Sequence, residues 1–244
     1  MGSIIAVVSG KGGTGKTTAV GAIGACLGAL GRRTLCADCD ADLQNLDITL
    51  GSSGYLLPSV SSLSALPEDI GELCMEHPSL ENVWLLSPLS FSGKTGEDLY
   101  PALFEDLRSR FDFCLLDAPA GIGDDVLRLL TFADQAIIVA TGDRSSLRDA
   151  QVMCARLQDY GLSDVRLLVN RVRSRAVRRD GMSVDEMIDT VGARLLGVVQ
   201  EDDDVPAAAN REVPLVLFSR RKASHGFLRV ARRLTGEDVP IPVR

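Results

Sequence analysis

A glycine-rich segment near the amino terminus carries the residue types best suited to chemistry. It reads Gly10-Lys11-Gly12-Gly13-Thr14-Gly15-Lys16-Thr17-Thr18, and it lies between the apolar run 4–8 and a helical pattern of apolar residues. Glycines allow consecutive backbone N–H groups to point into one hollow, and the helix that follows adds positive potential there. The segment therefore predicts a phosphate-binding loop, in which Lys16 reaches the β and γ phosphates and Thr17 binds Mg²⁺. The alternative is a glycine-rich turn with a structural role alone.

Carboxylates at two strand ends are suited to the same cation. Asp38 and Asp40 follow the apolar run 34–37, and Asp117 follows the apolar run 113–116. Carboxylates directly after buried strands are costly unless they meet a cation or hydrogen-bond donors. A strand that ends in aspartate is typical of a Walker B motif, where the carboxylate holds Mg²⁺. For Asp38 and Asp40 a solvated acidic turn is the alternative.

The order of apolar runs predicts an α/β fold in three layers. Strand-like runs alternate with helical patterns, which favours a mainly parallel twisted sheet with helices on both faces and all strand carboxyl ends at one edge. We expect a single domain over 1–244, with a short helix and surface loops in 51–82. The predicted strands are 4–8, 34–37, 83–87, 113–116, 136–140, 165–169 and 195–199; apolar residues at helical spacing mark 99–107, 147–157, 184–191 and 227–234.

A lysine directly after the first glycine of the loop makes the motif more specific. Lys11 resembles the signature lysine of the deviant Walker A ATPases, the MinD/ParA group of P-loop NTPases. Segments 9–18, 38–47 and 117–122 resemble the MinD branch of that group, and segments 145–149, 170–172 and 197–202 extend the similarity over most of the chain. The resemblance implies an ATPase that forms a homodimer when ATP is bound. In that dimer Lys11 would reach the partner's phosphates.

The resemblance also implies roles for individual residues. Thr17, Asp38 and Asp117 correspond to the Mg²⁺ shell, Asp40 to the residue that orients the attacking water, and Asn170 to the residue that reads adenine. Gln200 stands where the family often has proline near the base. The implied ligands are ATP or ADP with Mg²⁺. The implied role is a switch that regulates division-site placement, or another positioning task, through regulatory protein partners.

Composition narrows the choice of partners and compartment. The net charge of −7 disfavours a dedicated nucleic-acid binder. The basic cluster Arg171, Arg173, Arg175, Arg178 and Arg179 is interpreted as a solvated loop, with DNA or an acidic partner as the alternative. No secretory signal is visible, and the six cysteines suggest reduced core residues of a cytoplasmic protein.

Other functions are consistent with the same phosphate-loop motif. A ParA-like ATPase that partitions DNA or positions organelles is the first alternative. A metal or iron–sulfur carrier and a biosynthetic amide ligase share the phosphate loop. Helix 227–234 is predicted to pack on the sheet rather than to bind a membrane, so we expect no stable direct membrane attachment.

Overall fold

One eight-stranded sheet forms the centre of the protein. The structure is a computed structural model, and it describes residues 1–40, 45–53, 60, 63, 65–86, 88–91, 97–173 and 182–241. The strand order is β3-β4-β2-β5-β1-β6-β7-β8. Every neighbouring pair is parallel except β3 with β4. The strands are β1 Ser3–Val8, β2 Thr34–Asp38, β3 Cys74–Glu76, β4 Val83–Leu86, β5 Phe113–Asp117, β6 Gln135–Thr141, β7 Val165–Val172 and β8 Arg194–Gln200.

Helices cover both faces of this sheet, as predicted. They are α1 Lys16–Ala29, α2 Leu46–Leu50, α3 Tyr100–Arg110, α4 Asp124–Leu130, α5 Arg144–Asp159, α6 Val184–Val191, α7 Asp204–Asn210, α8 Leu215–Phe218 and α9 Lys222–Leu234. Short 3₁₀ turns occupy Ile70–Leu73 and Glu97–Leu99.

Strand β1 shows how the sequence builds two cores from one sheet. Ile4, Ala6 and Val8 belong to the apolar core beneath α3 to α6, whereas Ile5 and Val7 belong to the core beneath α1, α2 and α9. Successive side chains of a strand point to opposite faces, so a strand covered on both sides is apolar throughout. The parallel pairs bring the carboxyl ends of β1, β2 and β5 to one edge, where Asp38 pairs in register with Asp117.

Several short elements depart from the sequence prediction. Strand β3 is antiparallel and three residues long, and helices α2, α4, α7 and α8 have four to seven residues. Such pieces are too short to show a period in the sequence. Strand β7 continues to Val172, beyond the predicted end at 169.

Helix α9 packs into the core, as predicted. Phe227, Val230 and Ala231 are buried among residues of α1 and β8. The guanidinium of Arg233 donates to the carbonyl oxygens of Leu196 and Val239, which ties the end of the helix to β8 and to the following segment. Among the described residues no helix is both long and apolar enough to span a bilayer. All six cysteines are free; five are buried, as predicted for core residues, and Cys74 is half-buried.

Candidate functional site

The glycine-rich loop joins β1 to α1 and is braced by a strand distant in sequence. Gly15 caps α1 with φ 89°, a left-handed conformation that favours glycine. A Cβ atom there would lie 2.4 Å from Nδ2 of Asn170. The same Nδ2 donates to the carbonyl oxygen of Thr14 at 2.9 Å. Asn170, near the end of β7, thus holds the loop in place through its hydrogen bond to Thr14.

Lys16 and Asp117 form a buried ion pair at the end of the loop. The Lys16 Nζ atom lies 2.6 Å from Asp117 Oδ1, and the Asp117 side chain is 1% exposed. Burial raises the pKa of Asp117, while Lys16 and a hydrogen bond from Thr17 oppose that rise. The structure therefore brings together the phosphate-loop lysine, the Thr17 hydroxyl and the Walker B aspartate.

A buried hydroxyl on the loop lacks a partner within the described part of the chain. Thr14 is 2% exposed, and its Oγ1 atom has no hydrogen-bond partner there. An unsatisfied buried hydroxyl costs on the order of 1–3 kcal/mol. A phosphate oxygen is an acceptor that would satisfy it, so the residues present fit a nucleotide.

Asp38 lies beside Asp117 and accepts three backbone hydrogen bonds. Its Oδ1 accepts from the N–H of Asp40 at 3.0 Å, and its Oδ2 accepts from the N–H groups of Asn45 and Leu46, both at 3.1 Å. Burial raises the pKa of Asp38 to about 6, although these hydrogen bonds oppose the rise. A cation would stabilise the ionised form of this carboxylate. Asp42, within the predicted motif 38–47, lies outside the described residues.

Lys11 lies at the side of the loop and contacts the segment that leads into α5. Its Nζ atom lies 3.2 Å from Asp143 Oδ1 and 2.8 Å from Ser145 Oγ. Burial raises the pKa of Asp143, but hydrogen bonds from Thr141, Ser145, the Ser146 backbone and Lys11 hold it well below its usual range. Asp143 therefore stays ionised and keeps its attraction for Lys11.

A cavity of about 490 Å³ opens on the other side of the loop. Its wall includes the loop, the end of β7 and the start of α7, with Gly15, Thr18, Asn170, Gln200, Pro206 and Phe227 among the lining residues. Asn170 is 4% exposed, and its Oδ1 accepts from the N–H of Arg171 at 2.9 Å. Asn170, which is predicted to read adenine, therefore lines this cavity. The structure also gives that residue a second task in bracing the loop.

The two described arginines of the basic cluster share one carboxylate. Arg171 and Arg173 both contact Glu201, and Arg171 also donates to the Gly13 carbonyl oxygen at 3.2 Å. Arg171 has φ 56°, which is uncommon for a residue with a side chain. Arg175, Arg178 and Arg179 lie outside the described residues.

Sequence reasoning missed the partners of the predicted residues. Asp143 and Ser145 hold Lys11, and Glu201 holds the arginines, yet none of the three was proposed for that task. The segment 145–149 carried a family signal, but nothing in the spacing paired Ser145 with a lysine 134 residues earlier.

Comparison with known proteins agrees with this geometry. Residues 5–215 match the CobQ/CobB/MinD/ParA nucleotide binding domain. The chain belongs to this family. It is 32% identical to the septum site-determining protein MinD of Bacillus subtilis over 254 aligned positions, which cover 100% of the chain and 92% of that protein.

Solved MinD structures share its fold throughout. The MinC:MinD cell division protein complex of Aquifex aeolicus matches with a TM-score of 0.89 and 29% identity, covering 98% of each chain. The MinD of Pyrococcus horikoshii complexed with Mg-ADP matches with a TM-score of 0.82 and 26% identity, covering 96% of each chain. By family, fold and phosphate loop, the protein is a MinD-type P-loop ATPase that uses ATP and Mg²⁺.

Proposed function

We propose that residues 1–244 act as one cytoplasmic ATPase domain that dimerises with ATP and regulates division-site placement through partner proteins. The observation that carries the proposal is the cluster at the carboxyl edge of the sheet. There Lys16 pairs with Asp117 at 2.6 Å, and Asp38 lies in register beside it. The relatedness to MinD proteins over the whole chain supports the cellular role.

Each residue at this edge would have a different role in binding or hydrolysing ATP. Thr17, Asp38 and Asp117 would hold Mg²⁺, which neutralises charge on the phosphates. Lys16 would exchange its contact with Asp117 for a phosphate oxygen, since both ligands are anionic oxygens. Asp40 follows Asp38 at the edge and would orient the attacking water.

Lys11 is assigned a role at the interface of the ATP-bound dimer. Its contacts with Asp143 and Ser145 lie at the surface, where the Lys11 side chain is 37% exposed. Exposed ion pairs contribute about 0–1 kcal/mol, so Lys11 can leave this position at low cost. In the ATP-bound dimer it would then contact the phosphates of the partner.

Partner proteins are the remaining part of the proposal. The structural relative from Aquifex aeolicus is a complex with MinC, which supports recognition of the ATP-bound dimer by a regulatory protein. Arg171 and Arg173 share Glu201, so this pair of arginines keeps one net positive charge, which by itself is a weak attraction for DNA.

Substitution of Asp40 tests the proposed chemistry. Asp40→Ala should bind ATP and accumulate as a dimer, with turnover lowered by about 100-fold or more, because a water-orienting carboxylate acts in the transition state. Glu105→Ala, which removes an exposed carboxylate on α3, is the charge-matched control. Size-exclusion chromatography with ADP or ATP and a phosphate-release assay give the two readouts. Parental turnover in Asp40→Ala would contradict the assignment.

Substitution of Lys11 separates dimerisation from nucleotide binding. Lys11→Ala should bind ATP with parental affinity and remain a monomer, because the lysine acts across the interface. A stable Lys11→Ala dimer with ATP would show that this lysine has only its contact with Asp143.

A further inference from the structure

Helix α2 connects the proposed metal ligand to a distant part of the fold. The N–H groups of Asn45 and Leu46, at its start, both donate to Asp38 Oδ2 at 3.1 Å. The helix has one turn and ends at Leu50, followed by Gly51 with φ 68°. A helix this short has little stability of its own, so its position depends on what holds its two ends.

The far end of α2 is held by a histidine in the turn between β3 and β4. His77 is 4% exposed, and its Nε2 lies 2.6 Å from the carbonyl oxygen of Leu50. Its Nδ1 accepts from the N–H groups of Ser79 and Leu80, both at 3.1 Å. Because Nδ1 accepts, the ring proton is on Nε2 and is donated to Leu50. The neutral ring therefore satisfies one of the free carbonyl oxygens at the helix end.

Helix α1 restrains α2 from another side. A Cβ atom on Gly21 of α1 would lie 2.7 Å from Cγ2 of Thr49, and the side chain of Leu50 is fully buried. The close packing at Gly21 limits movement of α2 toward α1. The hydrogen bond from His77 limits movement of its end away from the β3–β4 turn.

We propose that His77 is a positioning residue of the ATPase, which keeps Asp38 aimed at the metal by fixing the end of α2. The proposal rests on the proposed role of Asp38 in holding Mg²⁺. If Leu50 is released, the helix can shift, and the N–H groups of Asn45 and Leu46 no longer stay on the Asp38 carboxylate. The carboxylate then loses two of its three backbone donors. His77 touches neither nucleotide nor metal in this scheme.

Two substitutions test the roles of the two ring nitrogen atoms of His77 separately. In His77→Gln the amide Nε2 can still donate to Leu50, whereas in His77→Asn the amide Oδ1 can replace Nδ1 as the acceptor in the turn but does not reach Leu50. We expect His77→Asn to raise the Mg²⁺ concentration for half-maximal turnover about tenfold, the low end of the effect of removing support from a metal ligand. His77→Gln should stay close to the parental value, although it loses the turn acceptor.

The controls distinguish positioning from stability. Leu80→Val trims a buried side chain in the same turn and leaves the ring intact, so it should lower the melting temperature without changing the Mg²⁺ dependence. Binding of ADP in EDTA should be parental in all three variants, because no metal is then present for Asp38 to hold. Amide exchange at Asn45 and Leu46 should accelerate in His77→Asn and not in His77→Gln, which gives a readout independent of activity.

Asp38→Asn identifies which assignment fails. If Asp38→Asn does not alter the Mg²⁺ dependence, the role of Asp38 is wrong and the proposal for His77 falls with it. If Asp38→Asn alters that dependence and His77→Asn does not, only the role of His77 is overturned. If His77→Asn does not fold, His77→Gln decides: an altered Mg²⁺ dependence in the variant that keeps the donor to Leu50 overturns the proposal.

Discussion

At the scale of single residues, the Lys16–Asp117 pair shows why two motifs form one site. Burial alone would favour the protonated form of Asp117, and a buried charge without a partner is strongly unfavourable. The pair reduces both costs, because each side chain offsets part of the other's charge. ATP with Mg²⁺ offers each of them a new partner of the right sign, so binding can separate the pair without leaving either charge alone.

The raised pKa of Asp38 leads to a pH dependence of metal binding. Burial, with a smaller contribution from the neighbouring Asp117 carboxylate, raises this pKa to about 6. Below that pH the carboxyl group is protonated and a cation must displace the proton, so the affinity for Mg²⁺ with ADP should fall as the pH drops through about 6. Titration of Mg²⁺ at a series of pH values, followed by a fluorescent nucleotide, measures the effect.

Asp38→Asn provides the control for that titration. The variant cannot titrate at this position, so the inflection near the pKa of Asp38 should disappear and the affinity should be low at every pH. An inflection of the same size in Asp38→Asn would assign it to another group.

At the scale of elements, the phosphate loop depends on its close contact with α5. A Cβ atom on Gly10 would lie 2.6 Å from Cβ of Asp149 and 2.8 Å from its backbone, whereas a Cβ atom on Gly12 would meet nothing within 4 Å. Gly10→Ala should therefore lower the free energy of unfolding by about 1–3 kcal/mol, as overpacking does. Gly12→Ala should change it by less than about 0.5 kcal/mol. Urea unfolding of both variants measures the difference, and equal losses would contradict the packing argument.

Elements with local signals could be predicted from the sequence, and contacts between distant elements could not. The loop at 10–18 and the strand ending at Asp117 each carry their pattern within a few residues. The contact of Asn170 with Thr14 joins positions 156 residues apart, and it depends on the strand order that brings β7 next to β6. Helix α2 gave no signal because one turn shows no period. Its position depends on His77 and Gly21, which no local pattern connects to it.

At the scale of the whole molecule, strand order explains why the phosphate site and the cavity at Asn170 lie side by side. Strand β1 lies between β5 and β6, and β2 lies on the far side of β5. The carboxyl ends of β1, β2 and β5 therefore meet at one edge, where Asp38 and Asp117 end their strands and Lys16 begins the helix after the β1 loop. The ends of β7 and β8 lie on the other side of β1 and wall the cavity at Asn170 and Gln200. Ligands of parallel α/β sheets bind at such carboxyl edges.

The charge and packing of the whole molecule lead to a last prediction, which concerns membranes. Stable peripheral binding needs an apolar helix face together with basic residues, or an equivalent pair of signals. The apolar face of α9 is used in the core, where Phe227 is 1% exposed, and the chain carries a net charge of −7. We therefore expect the ATP-bound dimer of this 244-residue chain not to sediment with anionic vesicles unless a partner protein is added. Sedimentation with ATP but not with ADP would instead assign α9 to the membrane, provided that it is abolished in Arg232→Glu, at an exposed position of α9, while the variant stays folded.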